Sequence, residues 1–148
     1  MHVRILGAVL AVALLAACSS TDKDAGSRSA TGGGTGSPFA AGGKVFFDLD
    51  SAVIRGDGRP VLDAQADWLT RNPAVNVQIA GNCDERGTEE YNLALGSRRA
   101  YAASTYLAAK GVTSSRVSTI SYGKDRPIAP GSTEDAWAQN RNATTTVR

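Results

Sequence analysis

The run VNVQIAGNCDERGTEEYNLALGSRRA, Val75 to Ala100, carries a strand, a charged turn and the opening of a long helix in direct succession. Val75, Val77 and Ile79 alternate with Asn76, Gln78 and Ala80, the period of a strand with one buried face. Gly81 ends it. Thr88, Glu89 and Glu90 then read as a helix start, a hydroxyl near the N-cap followed by acids in the first turn, where the helix dipole favours negative charge. Asp84, Glu85, Arg86 and Gly87 therefore fall in the turn between the two elements. From Leu95 the stripe Ala102, Ala103, Tyr106 and Leu107 faces a core, and Arg99 lies on that stripe one turn after Leu95. A guanidinium there is costly unless paired, so Arg99 is expected to meet either the Asp84 side of the turn or a carboxylate brought by a ligand. Asn92 lies two turns earlier on the same face. Acids, amides and arginines crowded onto one turn and one helix face mark the floor of a binding site.

Working outward, Lys44 to Asp48 reads as a strand, with Val45 and Phe47 on one face and Phe46 on the other. Asp48, Asp50 and Ser51 cluster at its end. Gly56 to Gly58 makes a turn, Pro60 suits the first turn of a helix, and Val61, Leu62, Ala66, Trp68 and Leu69 form a wide helical stripe that Asn72-Pro73 stops. Beyond the central run the long helix reaches Lys110, with Gly111 as its C-cap. Ser115 to Tyr122 is a weaker strand, Ser121 to Gly131 a loop, Thr133 to Asn140 a short helix and Ala143 to Val147 a final strand. The order βαβα(β)β implies a two-layer α/β sandwich, a mixed sheet with the two longer helices on one face.

The chain has 148 residues and a formal charge of +2, enough for one ordinary domain with appendages. Arg4 is the only charged side chain of residues 1–17; without that segment 15 basic and 14 acidic residues leave +1. No basic face of the kind nucleic acid requires is visible, so no nucleic-acid partner is expected. The single histidine, His2, lies in that same segment. A mature chain from Cys18 onward then has no imidazole for a Ser-His or Cys-His mechanism or for a metal, and neither enzymatic activity, metal nor cofactor is expected.

Residues 1–17 have a short polar start, an apolar run from Ile5 to Ala17, and small residues before Cys18, the pattern of a secretory signal peptide. Leu15-Ala16-Ala17-Cys18 resembles the bacterial lipobox, in which the cysteine is acylated and becomes the mature N-terminus. Several acyl chains hold a protein at a bilayer, since each buried methylene contributes about 0.8 kcal/mol. Residues 18–43 are rich in Ser, Thr, Gly and Ala and read as a flexible tether; a coil of that length spans roughly 25 to 30 Å root-mean-square. Residues 44–148 form the domain.

The run GxxDERGTxEYNxxLGxRRA, with VFFDLDS ahead of it and SYGKDRP and NR behind, resembles the peptidoglycan-associated lipoprotein group within the OmpA-like C-terminal domain family. The similarity extends from about Lys44 to Asn142. It implies that Asp84 and Arg99 grip the amino and carboxylate groups of the diaminopimelate residue in the peptidoglycan stem peptide, with Asp48, Asn92 and Arg141 beside it. It also implies a lipid-anchored protein of the outer membrane, Ser19 after the cysteine favouring that sorting, with its domain in the periplasm. The implied partners are peptidoglycan and the proteins of the Tol-Pal system, including the periplasmic propeller protein, in envelope integrity and cell division.

The chain departs from the family pattern in several places. Asn82 stands where the motif has histidine, Cys83 where it has a small residue, and Asn142 where it has a second arginine; Thr144 to Thr146 replace larger aliphatic residues. Cys83 is expected to be a buried small hydrophobe without a disulfide partner. The loss of an arginine at 142 removes one possible contact to a ligand carboxylate. These departures keep open an adaptor lipoprotein whose domain binds a periplasmic protein instead of the wall.

Overall fold

The computed structural model describes residues 37–39 and 42–148. The expected leader (1–17), the acylated Cys18 and the tether up to residue 36 lie outside the described residues. Strand β1 (Lys44–Phe46) is followed by helix α1 (Gly58–Arg71), strand β2 (Val77–Asn82), helix α2 (Glu89–Ala109), a single 3-10 turn (Ser114–Arg116), strand β3 (Val117–Gly123), helix α3 (Glu134–Asn140) and strand β4 (Asn142–Val147). The four strands lie in the order β1-β4-β2-β3. β4 runs antiparallel to both its neighbours and β2 parallel to β3, so the sheet is mixed and β2-α2-β3 is the crossover unit that a parallel pair requires.

One face of the sheet is covered. Val45, Val77, Ile79 and Ala143 point from the strands into a single core with Leu62, Ala66 and Leu69 of α1 and Ala100, Ala103 and Leu107 of α2. The two helices are pinned to each other at the surface, where Asp63 accepts from the Tyr106 hydroxyl at 3.0 Å and pairs with Lys110 at 2.8 Å. The polar run at Thr144 to Thr146 sits in β4, where all three residues pair with β2 and Thr144 pairs with β1 as well. Thr145 is buried and its N–H donates to the Gly43 carbonyl at 3.0 Å.

Packing begins ahead of Lys44. The Phe39 ring meets Trp68 edge-on, with centroids 5.4 Å apart, and the Gly43 carbonyl also accepts from the buried Gln65 amide at 3.1 Å. Part of the span read as tether is therefore docked on the domain, because it contains one aromatic that the glycine-rich composition conceals.

α2 begins as its sequence indicates. Thr88 is the N-cap, its hydroxyl accepting from the Tyr91 N–H at 3.2 Å, with Glu89 and Glu90 in the first turn; Gly111, at φ +97°, follows the far end. α2 lies hard against the sheet at Gly96 and Gly81. A Cβ on Gly81 would overlap the Gly96 carbonyl, and one on Gly96 would overlap the Ser121 hydroxyl. That approach brings the next turn of α2, and Arg99 with it, down to the end of β2. The parallel register also slips there, pairing Asn82 with Gly123 and leaving Tyr122 extra, a bulge of the kind that re-aims a chain at a sheet end.

Candidate functional site

Arg99 is fully buried, 0% exposed, and what surrounds it is backbone. Its Nε donates to the Ser51 carbonyl at 2.8 Å, Nη1 to the Asn82 carbonyl at 2.8 Å and Nη2 to the Asp48 carbonyl at 3.0 Å. The loop after β1 presents the Ser51 and Asp48 carbonyls, with Asp50 in the left-handed region at φ +53°, a conformation that a short polar side chain tolerates; the Asn82 carbonyl comes from the end of β2. The Phe47 ring lies 5.2 Å from the guanidinium carbon. Three protein acceptors leave two of the five guanidinium N–H groups without one among the described residues. Burial lowers the Arg99 pKa from its ordinary value, opposed by the charges of Cys83 and Asp84.

Arg99 and Asp84 do not pair. Among the described residues Arg99 forms no ion pair, and the Asp84 carboxylate, itself buried, is taken by two other arginines. Arg86 grips it through Nη2 at 2.7 Å and Nε at 3.1 Å, and the Arg86 backbone N–H adds a third bond at 3.1 Å. Arg141 Nη1 approaches the same carboxylate at 3.4 Å, while its Nε donates to the Phe47 carbonyl and its Nη2 pairs with Glu134 at 2.7 Å. Burial pushes the Asp84 carboxyl up, but the Arg86 bonds and charge and the Arg141 bond together hold it below the ordinary carboxylate value.

Asp84, Asn92 and Arg99 line one small cavity of about 40 Å³, together with Cys83, Leu95 and Arg86. Leu49 and Tyr91 also line it and are exposed, 59% and 41%, giving the cavity an apolar rim. A space of that size takes the tip of a ligand and not its body, since whole-ligand pockets run to about 300 Å³ and more. A hollow of about 510 Å³ between β1 and α1 is larger, but Lys44 is the one charged residue on its otherwise mostly apolar wall. The charged and amide side chains named from the sequence gather at the smaller space.

The other site residues named from the sequence divide. Asn92 is buried and its amide donates to the Arg86 and Thr88 carbonyls at 2.8 and 3.0 Å, bracing the turn. Arg141 sits behind Asp84 as a brace. The Asp48 side chain is 74% exposed and pairs with Arg55 at 3.4 Å, so in this structure only its carbonyl faces Arg99. Cys18 lies outside the described residues. Cys83 is buried and unpaired, its thiol 3.3 Å from the Asn92 carbonyl, and burial raises its pKa.

Two features escape the sequence pattern. Asn82 and Asn142, each a departure from the family motif, bond to each other through Asn82 Nδ2 and Asn142 Oδ1 at 2.9 Å. Asn142 therefore points away from the cavity, and its amide serves the backbone at Gln139 and Asn140. The second feature is the wall beside Asp84. Arg86 stacks on Trp137 with its guanidinium carbon 4.0 Å from the ring centroid, and Glu85 accepts from the Trp137 indole N–H at 3.0 Å. The Arg86 spacing, two residues after Asp84, was the available signal; Trp137 offered none. Among the described residues no cluster of His, Cys, Asp and Glu is suited to hold a metal.

The sequence model of the OmpA family matches residues 46–141. The chain is 43% identical to the peptidoglycan-associated lipoprotein of Mesorhizobium japonicum, across 97% of this chain and 90% of that protein. It is 51% identical to the protein of the same name from Brucella melitensis biotype 1, across 72% of this chain and 63% of that protein. Among solved structures it resembles the peptidoglycan-associated lipoprotein from Burkholderia pseudomallei, with a TM-score of 0.72 and 40% identity over 75% of this chain and 93% of that one.

Proposed function

Because the chain belongs to the OmpA family and to its peptidoglycan-associated lipoprotein group, we propose that its domain binds peptidoglycan without cleaving it, taking the amino-acid head of the diaminopimelate side chain into the cavity between Asp84 and Arg99. The observation that carries this reading is the buried Arg99 guanidinium, which among the described residues pairs with no carboxylate and keeps two N–H groups beyond its three carbonyl partners. A ligand carboxylate supplies the missing anion, and the ammonium on the same carbon reaches Asp84 on the opposite wall of the cavity. The remainder of the stem peptide lies across the Leu49 and Tyr91 rim. Cys18 carries the lipid that holds the chain at the outer membrane, and the segment between Cys18 and Ser37 gives the domain reach to the wall. The exposed apolar rim also suits a protein partner, and the Tol propeller protein is the partner proposed for that face, competing with the wall.

Sedimentation with purified peptidoglycan tests the reading. Wild type co-sediments, whereas Asp84→Asn and Arg99→Lys stay in solution while remaining folded by circular dichroism. A soluble stem peptide with lysine in place of diaminopimelate offers an ammonium without the carboxylate and binds at least tenfold more weakly, the loss of about 1.4 kcal/mol or more. Equal binding of the two peptides, or full co-sedimentation of both variants, favours the adaptor reading instead.

A further inference from the structure

The Asp84 carboxylate has about four lone-pair positions, and the protein engages all of them. One oxygen accepts from the Arg86 backbone N–H and Arg86 Nε, each at 3.1 Å; the other accepts from Arg86 Nη2 at 2.7 Å and Arg141 Nη1 at 3.4 Å. A ligand ammonium needs an acceptor there. We propose that the Arg86 side chain is an internal competitor for the ligand's ammonium, and that binding proceeds by exchange, the guanidinium swinging off Asp84 as the ammonium arrives. This inference rests on the zwitterion-binding reading of the cavity.

Arg86 is built to move, and Arg141 is not. The Arg86 side chain is 35% exposed, against 7% for Arg141, and Arg141 is tied down by the Phe47 carbonyl and Glu134. Arg86 also has somewhere to go. Its guanidinium carbon already lies over the Trp137 ring, 4.0 Å from the centroid, with the Glu134 carboxylate 4.0 Å from Nη2, so leaving Asp84 costs it neither the aromatic face nor a counter-ion. The Arg86 backbone N–H stays on Asp84 throughout, so the carboxylate keeps its orientation while its outward lone pairs are freed. A neutral ligand cannot make the exchange, because it leaves the buried carboxylate without a cation in place of Arg86. Arg86 thereby raises the threshold for entry and selects cationic heads.

A binding-competent state populated only in part weakens apparent affinity by that fraction. An ion pair whose guanidinium is partly exposed favours the closed arrangement by a factor of about five, so removing it tightens binding by about fivefold. Titration calorimetry of the full-length chain in detergent with a soluble diaminopimelate-terminated stem peptide measures this in wild type, Arg86→Gln, Asp84→Asn and the double variant. The expected result is about fivefold tighter binding for Arg86→Gln, weaker binding for Asp84→Asn, and no gain from Arg86→Gln when Asp84 is already Asn. Unchanged or weaker binding by Arg86→Gln beside a wild type that binds overturns the competitor role and leaves the site intact. No binding by any form removes the reading of the site, and the competitor with it. A second measurement does not need the variant to fold. In wild-type protein the Arg86 Nε–H resonance shifts and exchanges faster with solvent on ligand addition, and a resonance unmoved while that of Arg99 shifts overturns the exchange.

Discussion

Replacing Asn82 by Ala, Asn142 by Ala and then both together measures whether the two departures from the family motif form one structural unit. Asn142 is 0% exposed. Its amide oxygen accepts from Asn82 Nδ2 and Thr144 Oγ1, each at 2.9 Å, and its nitrogen donates to the Gln139 carbonyl at 2.8 Å. Asn142→Ala removes these bonds and leaves Asn82 Nδ2 with only a long contact to the Ala80 carbonyl at 3.3 Å. A neutral hydrogen bond contributes about 0.5–1.5 kcal/mol and a stranded buried donor costs about 1–3 kcal/mol, which puts Asn142→Ala near 3 kcal/mol. Asn82→Ala is milder, about 1–1.5 kcal/mol, because Asn142 Oδ1 keeps the Thr144 hydroxyl.

The double variant strands no Asn82 donor, so its loss stays near that of Asn142→Ala alone, about 1 kcal/mol short of the sum of the singles. Urea denaturation followed by Trp68 and Trp137 fluorescence gives the three values, with an unchanged slope as the check that the unfolding reaction is the same. Losses that add to within about 0.5 kcal/mol refute the pairing and return Asn82 and Asn142 to two unrelated substitutions.

Three further outcomes follow from geometry already described. Among the glycines, Gly81→Ala is the most damaging, because its Cβ meets the Gly96 carbonyl; Gly96→Ala costs about 1–3 kcal/mol by overpacking. Gly111→Ala meets nothing and carries only its left-handed strain, about 1–2 kcal/mol, so thermal melts rank the three in that order. Arg116 donates to the Leu69, Asn72 and Val75 carbonyls at 3.0, 2.7 and 2.6 Å; Arg116→Met lowers stability by about 2 kcal/mol and speeds amide exchange first at the end of α1. Asp84, held below its ordinary value of 3.8, contributes stability that is complete above the unfolded value and disappears as pH falls through the folded one. Asp84→Asn therefore flattens the stability curve on the acid side of that ordinary value, and an unchanged acid slope contradicts the ion pairs drawn around Asp84.

The regular elements were legible because their signals are local. Alternation gave β2, the Thr88 cap and its acids gave the start of α2, and Gly111 gave its end, each within a residue or two of where the structure has them. β1 and the inward Val45 and Phe47 were equally plain, although the strand stops at Phe46, two residues short of the expected Asp48, and Phe47 is buried just beyond it. Other features were local too, yet carried no periodicity. The docked Phe39 is one aromatic in a glycine-rich span, and composition averages it away. Asp84 with Arg86 is a pair only two residues apart, which pattern reading passed over in favour of the arginine on the helix stripe.

What stayed hidden is the pairing of polar groups across the fold. Arg99 reaches carbonyls 48, 17 and 51 residues away, Arg141 reaches Asp84 across 57, and Asn82 meets Asn142 across 60. A carbonyl is present at every position, so no residue type announces that Asp48, Ser51 and Asn82 will turn theirs toward one guanidinium. This arrangement also accounts for why Arg99 can be buried without a carboxylate. Neutral carbonyl dipoles take three of its N–H groups and fix its plane, and in the proposed reading a ligand carboxylate supplies the anion. An internal carboxylate in direct contact would have filled that need and closed the site. Asp84 pairs instead with Arg86 and Arg141, and their bonds favour its ionised form.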